Sequence, residues 1–173
     1  MELKRYFEDP AALHIGTEEN RCYYVPEDTR GYKRRKMLSG DDWKFRYYGS
    51  WQLVPEEFWE QEAGMERISV PSCWQMMGVD GHQYTNVKYP FPYDPPYVPD
   101  QNPAGAYVKR FSLTAEDLLF RQYLNFEGVD SCFYVWVNGK TVGYSQVSHS
   151  TSEFEITEYL REGENVLDRK SVV

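Results

Sequence analysis

The sequence predicts an all-β fold, a jelly-roll β-sandwich with an extended N-terminal arm. Three observations predict it. Short runs rich in β-branched and aromatic residues recur at roughly 8–12 residue spacing, as in sandwiches. Almost no segment keeps the 3.6-residue period of an amphipathic helix. An Asn-Gly pair, Asn138-Gly139, lies between two such runs and signals a tight hairpin.

Residues 1–37 lack any period, because Glu8-Asp9-Pro10, Gly16-Thr17-Glu18-Glu19-Asn20 and Pro26-Glu27-Asp28 interrupt it. They read as an arm lying along a body, with Tyr23, Tyr24 and Val25 as its apolar anchor. The basic run Lys33-Arg34-Arg35-Lys36 reads as a solvated face. Trp43-Lys44-Phe45-Arg46-Tyr47 alternates rings with basic residues, which places three rings on one face of a strand. Pro55-Glu56-Glu57-Phe58-Trp59 is the best short helical turn, with proline and acids at its start. Ile68-Ser69-Val70 is a strand closed by Pro71, which cannot donate to a ladder.

Residues 71–105 hold seven of the ten prolines, together with Trp74, Tyr84, Tyr89, Phe91, Tyr93 and Tyr97. So many large rings fit poorly with disorder. A loop stiffened by fixed φ angles and studded with aromatics suits a binding surface. Strands follow at 106–113, 121–126, 132–137 and 141–145, then at 153–156. Gly163-Glu164-Asn165 reads as a turn before Val166-Leu167.

The chain has 173 residues, a formal net charge of −8, and 17% aromatic residues. That length suits one domain. The acidic balance argues against nucleic acid as a partner, since phosphate binding relies on Lys and Arg. No apolar run approaches the roughly 18 residues of a membrane span, so no membrane partner is expected. Cys22, Cys73 and Cys132 are odd in number and widely spaced, which reads as buried free thiols in a reducing compartment. A cytoplasmic location is the corresponding expectation. His14, His82 and His149 lie too far apart for a short metal motif.

No catalytic constellation is recognisable. The doublets Asp41-Asp42 and Glu56-Glu57 cannot converge if they lie on strands, where neighbours point to opposite faces. Glu153 and Glu155 alternate with Phe154 and Ile156, as on any half-exposed strand. Gly143-Tyr144-Ser145-Gln146-Val147 lacks the last glycine of a nucleophile elbow, and Ser148-His149-Ser150 reads as a polar turn. Binding is better supported. Sugars are held by aromatic faces against their C–H surfaces and by planar amides gripping paired hydroxyls. Asn86, flanked by Tyr84 and Tyr89, is the best candidate. Trp43 and Trp136 read as core.

Several ordered motifs carry a resemblance: Val70-Pro71-Ser72-Cys73-Trp74-Gln75-Met76, Tyr84-Thr85-Asn86-Val87-Lys88-Tyr89-Pro90, Pro95-Pro96-Tyr97-Val98-Pro99, Asn102-Pro103-Ala104-Gly105 and Trp136-Val137-Asn138-Gly139-Lys140. Over about residues 8–167 the chain resembles the N-terminal sugar-binding domain of large β-galactosidases of glycoside hydrolase family 2. The resemblance implies a galactose-binding-domain-like jelly roll over 38–167, with residues 1–37 as the arm before it. It implies that Asn86 hydrogen-bonds the galactosyl unit of a β-galactoside. It also implies a retaining hydrolase whose two catalytic glutamates belong to a TIM barrel outside these residues, so the chain alone is expected to be inactive. Its partners would be the remaining domains of the same enzyme and further copies in a homo-oligomer. Mg and Na ions, used by full-length members, would bind largely elsewhere, with no cofactor held here. The alternative is a structural module that docks barrel and subunits, with little ligand binding of its own. After Leu167 the family pattern continues through a long apolar strand. Here Asp168-Arg169-Lys170-Ser171-Val172-Val173 follows, which reads as a non-family tail of a truncated gene fragment. The expectation is that the neighbour of the missing strand becomes an unpaired edge.

Overall fold

The computed structural model describes residues 4–20, 35–82, 84, 86–87 and 91–172. Within them lie nine strands: β1 (His14–Ile15), β2 (Gly40–Tyr48), β3 (Glu66–Val70), β4 (Ala104–Leu113), β5 (Tyr123–Phe126), β6 (Cys132–Val137), β7 (Lys140–Gln146), β8 (Ser152–Glu155) and β9 (Gly163–Val172). All pairings are antiparallel. Seven strands form one sheet in the order β1-β7-β6-β9-β4-β2-β3, and β5 pairs with β8 in a second, smaller one. The all-β jelly-roll expectation is met, with sheets of very unequal width.

Period-two alternation divides the large sheet into two apolar faces. On one face Trp43, Phe45, Tyr107, Val135, Val137 and Leu167 pack against Leu124 and Phe154 of the small sheet and against Trp74. On the other, Ala104, Ala106, Val108, Tyr134, Trp136 and Tyr144 are covered by short turns rather than by a sheet. Those turns are 3₁₀ helices at Tyr6–Glu8, Trp51–Leu53 and Phe58–Glu60. The last falls where Pro55-Glu56-Glu57 placed a helical turn. Its Phe58 and Trp59 rings meet Trp136 at centroid distances of 5.7 and 5.8 Å. The covering layer therefore comes from aromatic side chains, which bury a large area per residue.

Asn138 and Gly139 take φ angles of 52° and 75° and join β6 to β7 as the two-residue turn that strand twist favours. Asn138 also ties this hairpin to β9. Its side chain donates to Tyr159 O and to Asn165 Oδ1, each at 2.8 Å, and accepts from Val166 N at 3.0 Å. Asn165 is fully buried and returns bonds to Arg161 and Gly163. Replacing Asn165 with alanine strands several of these groups, and a buried unsatisfied group costs about 1–3 kcal/mol. Urea melts are expected to give a loss at the upper end of that range, and a loss within error would discount the knot.

Two expectations are corrected. The strand thought to be missing is present: β9 runs through Asp168–Val172 and lies between β4 and β6, so neither is an edge. Glu164 and Asn165 already belong to it rather than to a turn. Backbone pairing on both sides outweighs the polar composition of that stretch. Second, of the two cysteines among the described residues, Cys132 is a buried free thiol, its ionisation pushed up to about 11 chiefly by burial. Cys73 is exposed, because it opens the loop after β3. Cys22 and the Tyr23-Tyr24-Val25 anchor lie outside the described residues. The described part of the arm adds β1 to the sheet edge, with His14 Nδ1 2.8 Å from Ser145 Oγ. No described helix is long and apolar enough to cross a membrane.

Candidate functional site

The proline-rich segment between β3 and β4 leaves the sheet as a chain of turns and is tied down at both ends. At its start, Trp74 turns inward, 7% exposed. Its indole N–H donates to the Tyr107 hydroxyl at 2.5 Å, and its ring packs on Phe45 and Tyr47 at 5.9 and 5.6 Å. Gly105 makes the seat for it: a Cβ there would stand 2.4 Å from Trp74 Cζ2. The backbone then folds over Trp74, whose carbonyl accepts from Met77 N and Val79 N. Asp80 lies beside Tyr47, whose hydroxyl is raised above its ordinary range by burial and then by that carboxylate. At the other end, Asp100 accepts from Ser50 and Gln52, and Asn102 O accepts from Trp51 N.

Between these anchors three tyrosines turn outward. Tyr84 is 74% exposed, Tyr93 82% and Tyr97 64%. A turn closes from Tyr84 O to Val87 N at 3.3 Å and carries Asn86 at its tip, exposed to solvent. Asn86 thus has amide donor and acceptor available, with tyrosine faces in the same loop. Tyr89 lies outside the described residues. Sequence reasoning placed Asn86 within the proline-rich loop, but it missed the anchors. Asn102 is 1% exposed, and its Oδ1 has no partner among the described residues. An Asn-Pro pair before a strand was the available signal.

Acid–base chemistry finds little support nearby. Asp41 accepts from Ser69, and Asp42 is bound by Lys109, which holds its carboxyl below the usual range. Asp117 is lowered by the Thr114 backbone N–H and hydroxyl. Asp168 is pushed up to about 8 by burial, but it is sealed inside the sheet and cannot meet a substrate. Among the described residues no three His, Cys, Asp or Glu side chains converge as a metal-holding group.

Comparison with known proteins gives the family and the fold. A family model described as "Glycosyl hydrolases family 2, sugar binding domain" matches residues 36–172, through the end of β9. A β-galactosidase of Actinobacillus pleuropneumoniae is 45% identical over 96% of the chain, and one of Staphylococcus xylosus 37% identical over 97%. The chain spans 17% and 18% of those two relatives. Among solved structures, a β-glucuronidase from an uncultured Clostridium sp. superposes with a TM-score of 0.64. That match is 21% identical and covers 88% of this chain and 24% of the other, a likeness of fold.

Proposed function

The chain belongs to the sugar binding domain family of glycosyl hydrolases family 2, and from that premise we propose that it forms the sugar-binding part of a longer β-galactosidase. The observation that carries the reading is the 45% identity to a named β-galactosidase over nearly the whole chain. In this role the loop between β3 and β4 presents Asn86 to the galactosyl unit. The amide N–H donates to one hydroxyl and the amide oxygen accepts from its neighbour, while exposed tyrosine rings face the sugar's C–H surface. The hydrolytic carboxyl pair belongs to other parts of the longer polypeptide, so residues 1–173 bind and orient substrate without cleaving it.

Titrating the ¹⁵N-labelled chain with galactose tests this. The expected result is shifts confined to the loop around Tyr84–Val87 and Tyr93–Tyr97. Affinity is expected on the order of 1 mM, worth about −4 kcal/mol, because one amide and open rings bury little of the ligand. Asn86→Ala should abolish the shifts. Shifts elsewhere, or shifts that survive Asn86→Ala, would overturn the assignment, and measurable galactoside turnover would overturn the division of labour.

A docking role is favoured by one separate observation. Met76, Leu119 and Phe120 are 77%, 79% and 63% exposed, and exposed apolar surface marks contact sites. In the longer enzyme, Asn86→Ala would then leave the rate per site unchanged.

A further inference from the structure

The loop that carries Asn86 returns to the sheet through a stretch poor in hydrogen-bond donors. Pro95, Pro96 and Pro99 have no backbone N–H, so Tyr97 and Val98 hold the amide donors of residues 95–99. Tyr97 N donates to Asp94 O at 2.9 Å and closes a turn inside the loop. Val98 N instead donates to Glu8 Oε1 of the N-terminal arm at 3.5 Å. That bond is long, and the charge on its acceptor strengthens it. Val98 N–H is therefore the one backbone donor of residues 95–99 that reaches another part of the chain.

Glu8 reaches Val98 from a fixed position. It ends the 3₁₀ turn Tyr6–Glu8, and its side chain is 14% exposed. The Tyr6 ring lies against Tyr134 of β6 and Tyr144 of β7, at centroid distances of 6.2 and 5.4 Å. The Tyr134 hydroxyl donates to Lys4 O at 2.7 Å. Phe7 meets the Trp51 ring edge-on at 5.4 Å, and the Arg5 guanidinium stands 4.9 Å over the same ring. Trp51 N in turn donates to Asn102 O at 2.8 Å. The arm, the Trp51 turn and the exit of the loop thus meet at one place. The second Glu8 oxygen lies 3.5 Å from Arg5 Nη1, but Arg5 is half exposed, and such pairs contribute little.

We propose that Glu8 is a positioning residue for the sugar loop: its carboxylate holds Val98 and so sets where Tyr93 and Tyr97 stand beside Asn86. The proposal rests on the reading of that loop as the galactose site. Proline fixes φ on both sides of Val98, so a displacement there is passed along the segment rather than absorbed by rotation. A tyrosine ring moved outward by about 1 Å forfeits up to about half of its dispersion contact with a sugar face. The arm then belongs to the binding site without touching the sugar.

The test uses the full ¹⁵N-labelled chain with Glu8→Ala and Glu8→Gln. Glutamine keeps the Oε1 acceptor and loses the ion pair with Arg5, so the two variants separate acceptor from charge. In Glu8→Ala the Val98 amide is expected to exchange at least tenfold faster, and galactose to bind at least threefold more weakly. Glu8→Gln should return both to within twofold of the parent. Amides of β6 and β7 should keep their parent rates in both variants, which shows an intact sheet. Exchange is read without sugar and decides by itself whether Glu8 holds the loop. A parent chain that galactose does not shift would overturn the galactose reading, and with it the sugar role of Glu8. Unchanged Val98 exchange in Glu8→Ala overturns the proposal. So does faster exchange with unchanged affinity, which leaves the contact a merely structural one. A Glu8→Gln chain as weak as Glu8→Ala also overturns it, by assigning the effect to the Arg5 pair.

Discussion

Replacing Asp168 with leucine is expected to raise the thermal midpoint of this chain, by more at pH 8 than at pH 4. Leucine repeats the branching of aspartate one carbon beyond Cβ, so the change removes charge and orphaned acceptors while keeping the shape. The gain comes from two sources. Each buried acceptor without a partner costs about 1–3 kcal/mol, and the apolar replacement is flanked by Val108 and Trp136. Burial pushes the Asp168 carboxyl from its usual 3.8 to about 8, with Glu62 adding to the rise and Arg110 opposing it. Arg110 cannot turn fully to Asp168, because it already binds Glu62 and Glu164. A rise of about four units bounds the ionisation penalty at about 5 kcal/mol.

The sign follows from linkage. A carboxyl raised in the folded state stabilises the protein fully below its unfolded pKa. That contribution is lost as pH climbs through the folded value, here between about 4 and about 8. The difference in midpoint between Asp168→Asn and the parent chain should therefore widen across that window and level off above it. Lys170, on the same face, is lowered to about 8 by burial. Its own contribution rises with pH from about 8 towards its usual 10.5, so the aspartate signal is cleanest below pH 8. At roughly 2–4 °C per kcal/mol for a chain of this size, Asp168→Leu should add about 5–12 °C at pH 8. An unchanged or lower midpoint would refute the buried-charge account.

The second large effect is expected at Trp74. Truncation to alanine empties the space over Gly105 and removes ring contacts with Phe45 and Tyr47. Large aromatic truncations in a core cost about 3–5 kcal/mol. The loop starting at Trp74 should lose hydrogen-exchange protection while the β6–β9 ladder retains its own, because the loop's other anchors lie far along the chain at Asp100 and Asn102. Trp74→Phe keeps most of the ring and loses the bond to Tyr107, so about 1 kcal/mol is expected. It also provides a folded comparison should the alanine variant not fold. Unchanged loop protection in both variants would mean that Trp74 is not the anchor.

Local chemistry made much of the fold legible. The alternation at Trp43, Phe45 and Tyr47 reads as a strand with one apolar face, and all three rings pack into one cluster. Asn138-Gly139 reads as a turn because its positive φ angles suit few other pairs. The candidate loop was visible in its prolines and rings, since both act within a few residues. Which rings turn inward was not. Trp74 is buried while Tyr84, Tyr93 and Tyr97 are exposed, and that depends on Gly105, thirty-one residues from Trp74, having no Cβ to fill the seat.

The end of β9 marks the boundary most clearly. Asp168-Arg169-Lys170-Ser171 carries no local strand signal, and the polar run reads as a tail. Its place in the sheet depends on two long-range ladders, to β4 and β6, whose backbone bonds take no account of side-chain type. The sequence by itself determined the β class, the hairpin, the stiffened loop with Asn86 and the family resemblance, because each is encoded in short, local patterns. Tertiary structure alone decided the seat of Trp74 and the central position of a polar strand. Both are settled by what distant segments leave to be filled.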